Sequence, residues 1–306
     1  MITKDKVTEI FCIADDFCKE FEAEIAKKNS LKAPDGKKHR QRKCQLSDSE
    51  IITILICFHF NDFRNFKHYY LFISQAWRRE FPGMLSYNRF VELESRVAVP
   101  LAMFLQLCCM GHCTGISYVD STCIPVCHNK RISRNKVFKG YAEIGKSTMG
   151  WYFGFKLHLI CNERGELLNF MLTKANVDDR NQQVFSRLSE NIFGKLYADK
   201  GYISQSLFDT LFSNGVHIVT GLKSNMKNKL MSFYDKIMLR KRSVIETVND
   251  ELKNVAQAVH SRHRGVFNFC INMLSALCAY SFFDKKPAIN MDYLIEGFDG
   301  QLTLFK

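Results

Sequence analysis

No C-x-x-C pair occurs anywhere in the chain, although it carries 12 cysteines. The scattered thiols are therefore expected to be reduced and mostly buried, as in a cytosolic protein. One cluster, Cys108, Cys109, His112, Cys113, Cys123, Cys127 and His128, admits a zinc site, but reads more simply as a set of thiols. The start, MITKDKVTEIFCIADDF, is amphipathic and broken by charge, without the continuous apolar region of a signal peptide. The longest apolar run, GVFNFCINMLSALCAYSFF, has the length to cross a bilayer, but Asn268 and Asn272 interrupt it. A buried helix packed on a sheet is the expected outcome, and no membrane partner is expected. Internal repeats and low-complexity segments are missing as well.

What is present points to a basic, folded protein. Its 306 residues suffice for one sizeable core and a smaller domain, and 46% are hydrophobic. The 26 phenylalanines predict an aromatic-rich core. A net charge of +12 favours a polyanionic partner, nucleic acid before membrane.

The first hundred residues read as helical. Ile10, Ile13, Ala14, Phe17 and Phe21 recur at helical steps, which predicts one helix over 1–28. A basic loop follows, with Lys37, Lys38, Arg40, Arg42 and Lys43 between the breakers Pro34 and Gly36 and the next apolar run. Ser47 and Glu50 form a capping box ahead of that run. After Gly111 the pattern changes. GISYVDST predicts a strand ending in Asp120, and a basic loop with Lys130, Arg131, Arg134, Lys136, Lys139 and Lys146 comes next. GWYFGFKLHLICN and ELLNFMLTKA predict an antiparallel hairpin around the turn NERGE. A helix, the short strand KLYADKGY ending in Asp199, a helix closed by Gly215, and the strand HIVTGLK complete the series. A hairpin leading into alternating strands and helices predicts a mixed sheet with helices on its faces.

Three carboxylates carry the chemical reading. Asp120 and Asp199 each follow a β-prone tripeptide, where functional groups of α/β sheets gather. The third lies in RKRSVIETVNDELK. At 100° per residue Arg242, Glu246, Asp250 and Lys253 share one helix face, with Val244, Val248, Leu252, Val255 and Val259 behind. Two divalent ions about 3.5–4 Å apart stabilise both ends of an in-line displacement at a phosphodiester. Mg²⁺ takes hard oxygen ligands and keeps water and substrate oxygens, so a few carboxylates suffice. Lys156 and His158 share one side of their strand and face either the site, DNA or, for His158, the core. Lys200 and Tyr202 are candidates for phosphate contact, and Asp178 and Asp179 read as helix caps. His260, Arg262, His263 and Arg264 form a basic turn.

FRNFKHYY, SYNRFVELESRV, YVDST, GFKLHL, YADKGY, RSVIETVNDELK and HSRHRGVFNF together resemble bacterial insertion-sequence transposases of the DDE type, in particular the insertion-sequence 982 group. The resemblance covers most of the chain. It implies an α/β, RNase H-like mixed sheet flanked by helices over 113–285, a small all-helical, DNA-binding region over 1–112, and a tail over 286–306. It maps the catalytic, metal-binding acids onto Asp120, Asp199 and Glu246, with two Mg²⁺ or Mn²⁺ ions. Of the related Y-x2-R-x3-E-x6-K signature, Arg242, Glu246 and Lys253 match, and Leu239 stands at the Tyr position. DNA contacts are expected from Arg242, Lys253, Lys156, His158, Lys200, Arg131, Arg134, Arg262 and Arg264. The implied partners are terminal inverted repeats and target DNA, bound by a homodimer or larger assembly in the bacterial cytoplasm, at the nucleoid. Two other readings stay open: an RNase H-like nuclease without strand transfer, and an inactive DNA-binding relative.

Overall fold

The computed structural model describes residues 2–29, 44–222, 231–259 and 263–290. In chain order the helices α1 (Lys4–Asn29), α2 (Asp48–Phe58), α3 (Phe66–Ala76), α4 (Tyr87–Leu93) and α5 (Ala98–Phe104) come first. The strands β1 (Ile116–Cys127), β2 (Glu143–Ser147), β3 (Gly150–Asn162) and β4 (Leu167–Lys174) follow. Then α6 (Gln182–Leu188), β5 (Gly194–Ala198), α7 (Gln205–Ser213), β6 (Val216–Thr220), α8 (Phe233–Arg240), α9 (Ser243–Asp250) and α10 (Val266–Ser281) complete the described elements.

Two compact units result: Met1–Met110 with Ile124–Gly154 and Asp250–Phe283, and Gly111–Cys123 with Phe155–Asn249 and Asp284–Lys306. The first is mostly helical. The Ser47 hydroxyl accepts from the Glu50 amide while the Glu50 carboxylate accepts from the Ser47 amide, so the capping box fixes the start of α2. Every residue of α2 from Ile51 to Phe58 is buried. Phe58, Phe66, Tyr69, Tyr70 and Phe90 form a ring cluster, with Tyr70 and Phe90 centroids 4.7 Å apart, which accounts for much of the aromatic content. α10 buries Ile271, Met273, Ala276 and Leu277, as expected, but it packs against α2 and α5 and not on a sheet as the sequence predicted. None of the described helices is long and apolar enough to cross a membrane.

This unit also holds an antiparallel hairpin, from Glu143↔Gly154 to Ser147↔Gly150, inside the stretch expected as a basic loop. Its strand β2, EIGKS, has neither β-branched enrichment nor a clean alternation, so tertiary pairing decides its conformation. Gly154 is required there: a Cβ would lie 2.1 Å from the Ile124 carbonyl oxygen.

The second unit carries the strand order β4-β3-β1-β5-β6. β4 runs antiparallel to β3, while β1, β5 and β6 are mutually parallel. The parallel connection from β5 to β6 is α7, closed by Gly215 at φ 79°, a left-handed position that favours glycine. Side chains alternate between faces. Val119, Ile160, Leu196, Ala198 and Ile218 pack with Phe185 and Leu188 of α6 and Leu207 and Leu211 of α7. On the opposite face the Tyr118 and Tyr197 rings stack at 5.4 Å, and α8 covers them. There the Asp235 carboxylate accepts from Tyr197 at 2.8 Å and from Lys195 at 2.7 Å. A sheet buried on both faces explains why its parallel strands lack a polar side.

Candidate active site

β1 does not end at Asp120 as the sequence predicted; it continues to Cys127. Asp120 is therefore a mid-strand residue, and period-two alternation puts it on the Tyr118 face, with Ser121 on the other. The register pairs Tyr118 with Tyr197 on the neighbouring parallel strand. Asp120 and Asp199 each stand two residues beyond these tyrosines. β5, however, ends at Ala198, and Asp199 is an exposed residue at the start of the turn Lys200–Tyr202.

α9 supplies the other half. It buries Val244, Ile245, Val248 and Asn249 and exposes Glu246. Arg242, just ahead of the helix, donates to Glu246 through one guanidinium nitrogen, and a second nitrogen lies 4.0 Å from Asp120 Oδ1. One guanidinium thus reaches both carboxylates. Asn249 Nδ2 donates to Asp120 Oδ2 at 3.0 Å. Burial pushes the Asp120 carboxyl up to about 6; the Arg242 charge opposes this and the Glu246 charge adds to it. With Glu246 half-exposed, its i,i+4 ion pair with Arg242 is worth only about 0.3–0.5 kcal/mol. Exchange of that contact for another cation is therefore inexpensive.

Sequence reasoning missed Asn249. Its place three residues beyond Glu246 on a helix was the available signal. Its amide oxygen is buried with no hydrogen-bond partner. A hard, unsatisfied oxygen beside an under-neutralised carboxylate is a donor set suited to a divalent ion. Among the described residues, no group of three or more His, Cys, Asp or Glu side chains is gathered closely enough to hold one. Asp120 and Glu246 are brought together through Arg242; Asp199 stands beyond the paired residues of β5.

On the Ser121 face lies a second network. The Asp179 carboxylate accepts from Ser121 at 2.8 Å and pairs with Lys156 at 3.1 Å, with His158 Nδ1 3.9 Å away. Asp179 is thus not a helix cap; the Asn181 side chain caps α6. Asp178 instead pairs with Arg180, which holds its carboxyl well below the usual range. Lys156 also donates to the Val177 carbonyl at 2.8 Å, so its ammonium is turned inward. His158 is fully buried, hydrogen-bonded to Thr173 at 2.9 Å, and burial lowers its pKa to about 4. It has no exposed surface to offer DNA. Tyr202 is buried among the same groups, and burial drives its phenol far above its ordinary value.

The remaining expected DNA contacts are spread out. Lys200 is exposed beside Asp199. Arg131 and Arg134 are exposed on the short helix Asn129–Arg134, with Lys130, Lys136, Lys139 and Lys146 exposed nearby in sequence. Lys146 lies over the ring of exposed Trp151 at 5.7 Å. Arg264 is exposed, while Arg262 and the basic loop 37–43 lie outside the described residues. Lys253 is partly buried in a π-helical segment, Glu251–Val255, where the α-helical phase expected from the sequence is lost. Val255, expected behind, is consequently 54% exposed.

The chain matches the family "Transposase DDE domain" over residues 110–266, a segment that contains Asp120, Asp199 and Glu246. Comparison with the curated proteins finds no match. Among solved structures, it is similar to a cryo-EM structure of a piggyBac transposase synaptic complex with hairpin DNA, at 11% identity and TM-score 0.43, covering 91% of this chain and 72% of that one. It is also similar to a crystal structure of the Mos1 strand transfer complex, at 15% identity and TM-score 0.25, covering 73% of this chain and 80% of that one.

Proposed function

The chain belongs to the transposase DDE domain family, and from that premise we propose that it cuts and joins DNA at the ends of an insertion sequence through Asp120, Asp199 and Glu246. The observation that carries the reading is the Arg242 guanidinium that ties Asp120 to Glu246, and it is supported by the pairing of Tyr118 with Tyr197, each two residues ahead of an aspartate. The strand order β4-β3-β1-β5-β6, with its antiparallel hairpin and parallel half, supports an RNase H-like catalytic fold. Mg²⁺ or Mn²⁺ held by the three carboxylates supplies charge stabilisation at the attacking and leaving oxygens of a phosphodiester.

The chain's own groups do the rest. Asn249 orients the Asp120 carboxylate through its amide hydrogen. Arg242 holds Glu246 in the absence of substrate and is placed to grip a DNA phosphate once that pair opens. The Ser121–Asp179–Lys156 network braces the strand behind Asp120. Water attacks the end phosphodiester first; the freed 3′-hydroxyl then attacks target DNA. Exposed cations over 130–146, together with Lys200 and Arg264, provide salt-sensitive backbone affinity. Inverted repeats and target DNA are the partners, in an assembly of two or more copies that pairs two ends.

The test is alanine at each acid, assayed on the element's own ends with Mn²⁺. End binding should survive and cleavage should vanish. Full-rate cleavage by Glu246→Ala would remove the assignment. A nuclease without strand transfer is separated by supplying pre-cut ends, which only a transposase joins to target.

A further inference from the structure

A cavity of about 670 Å³ lies wholly within the first unit, away from the acids of the second in sequence and in lining. Its buried interior includes Leu55, Phe58, His59, Ile271 and Glu94. Its exposed lining residues include Lys67 and Arg264, with Asn65 and Asn88. Phe58, Phe66 and Tyr87 contribute ring walls; Phe58 and Phe66 centroids are 5.3 Å apart, and Lys67 lies over the Tyr87 ring at 5.7 Å. Glu94 is only 5% exposed, and no described group donates to it or pairs with it.

A buried carboxyl without a partner costs about 1–3 kcal/mol, and pays only if a ligand supplies the missing donor. Three features must be met at once: a hydrogen-bond donor for Glu94, a flat ring for the aromatic walls, and an anion for the cationic rim. An aliphatic amine would satisfy the first alone. A bare phosphate would satisfy the third and be repelled from the interior. We propose that this cavity receives a single nucleotide, its base inside against Glu94 and its phosphate on Lys67 and Arg264. Adenine, cytosine and guanine carry an exocyclic amino group and thymine an imide N3–H, so each base brings the donor that Glu94 lacks, whereas an abasic sugar brings none. The cavity should therefore distinguish a base from an abasic site. Burial pushes the Glu94 carboxyl up to about 8, in keeping with a group that lacks its partner. The volume falls within the range of small-molecule sites and exceeds what a base alone fills, leaving room for the sugar. The nucleotide comes either from a DNA strand, extruded from the stack, or free from solution. The extruded source rests on the transposase reading above; the pocket chemistry does not.

The experiment uses the full chain and single-stranded abasic oligonucleotides bearing one adenine, cytosine, guanine or thymine, read by fluorescence anisotropy without metal. Each base-bearing strand should bind about 10-fold tighter than a fully abasic strand. Glu94→Leu should erase that preference while melting no lower than the parent, because it removes an unpaired buried carboxyl. Lys67→Ala and Arg264→Ala should weaken all strands, abasic included, and flatten the salt dependence. Competition by free dAMP at comparable affinity assigns the free source, and competition by the adenine strand alone assigns DNA; either supports the pocket. Equal binding of base-bearing and abasic strands, or a preference that survives Glu94→Leu, overturns it. Because no cleavage is read, base preference without metal-dependent cutting would sink the transposase reading and leave the pocket standing, and the converse holds.

Discussion

The ends of two neighbouring parallel strands begin alike and finish differently. YVD and YAD place an aspartate two residues after a stacked tyrosine, and the Tyr118–Tyr197 register makes the pair symmetrical in sequence. Asp120 nevertheless stays inside β1, held by Asn249 and close to Arg242, with its carboxyl pushed up to about 6. Asp199 lies beyond the end of β5, exposed. One acid is built into the fold and the other is presented on a turn. The built-in acid carries the cost of burial; the presented one does not. A site that gathers its last ligand only with its cation avoids packing three like charges together in the empty state.

The largest effect expected from breaking this arrangement is chemical. Asp120→Ala, Asp199→Ala and Glu246→Gln should each lower Mn²⁺-dependent end cleavage by about 10³-fold or more, with end binding in gel shifts retained. Wild-type cleavage by any one of them removes that residue from the site. Next comes Asn249→Ala. Loss of a group that orients a ligand costs about 10–100-fold in metal affinity or activity, and calorimetric Mn²⁺ titration reads it; an unchanged affinity makes Asn249 a packing residue only.

Stability sharpens the contrast further. Asp120→Asn removes a buried, under-neutralised carboxylate and should stabilise by about 1–3 kcal/mol at neutral pH. Asp199→Asn, at an exposed position, should stay within about 0.5 kcal/mol of the parent. Urea melts of the two variants compare them directly, and equal shifts would erase the distinction.

The smallest effect lies in the other unit. Glu94 is raised by burial from 4.5 to about 8, so the stability it contributes is complete below about 4.5 and is lost as pH rises through about 8. Facing it from the cavity walls are the cationic side chains of Lys67 and Arg264, Tyr87, itself raised, and His59 and His263, both lowered by burial to about 4. Burial thus moves the two histidines and Tyr87 out of the window between pH 5 and 9 and moves Glu94 into it. The stability of Glu94→Leu relative to the parent should grow over that window, measured by urea melts at each pH. A flat difference would show a hidden partner for Glu94.

Much of this was legible in the residues. The capping box, the β3–β4 hairpin, α7 with its closing glycine and the buried α10 each carry a local signal that tertiary structure leaves unopposed. Asp120, Asp199 and Glu246 were picked out as candidates by β-strand context and helical spacing, and Arg242 reaches the first and the last of them. Asn249 was not, because a buried amide on an amphipathic helix looks like any polar residue until its partner across 129 positions is known. β2 was hidden because EIGKS has no period-two signal, and β1's continuation past Asp120 because STCIPVC contains a proline and reads as a turn. The π-helical segment after Asp250 shifted Lys253 and Val255 off their expected faces, a change in helical phase that spacing arguments do not anticipate. Asp179 was misread because capping is the commoner role of an aspartate just ahead of a helix; here Ser121 and Lys156 claim it.

The central claim is that exposed Asp199 joins Asp120 on the same metal. Calorimetric Mn²⁺ titration of Asp120→Ala and Asp199→Ala beside the parent, with end DNA bound, tests it most directly. Both variants should lose Mn²⁺ affinity to a similar extent. Parent-like Mn²⁺ affinity in Asp199→Ala would contradict the account.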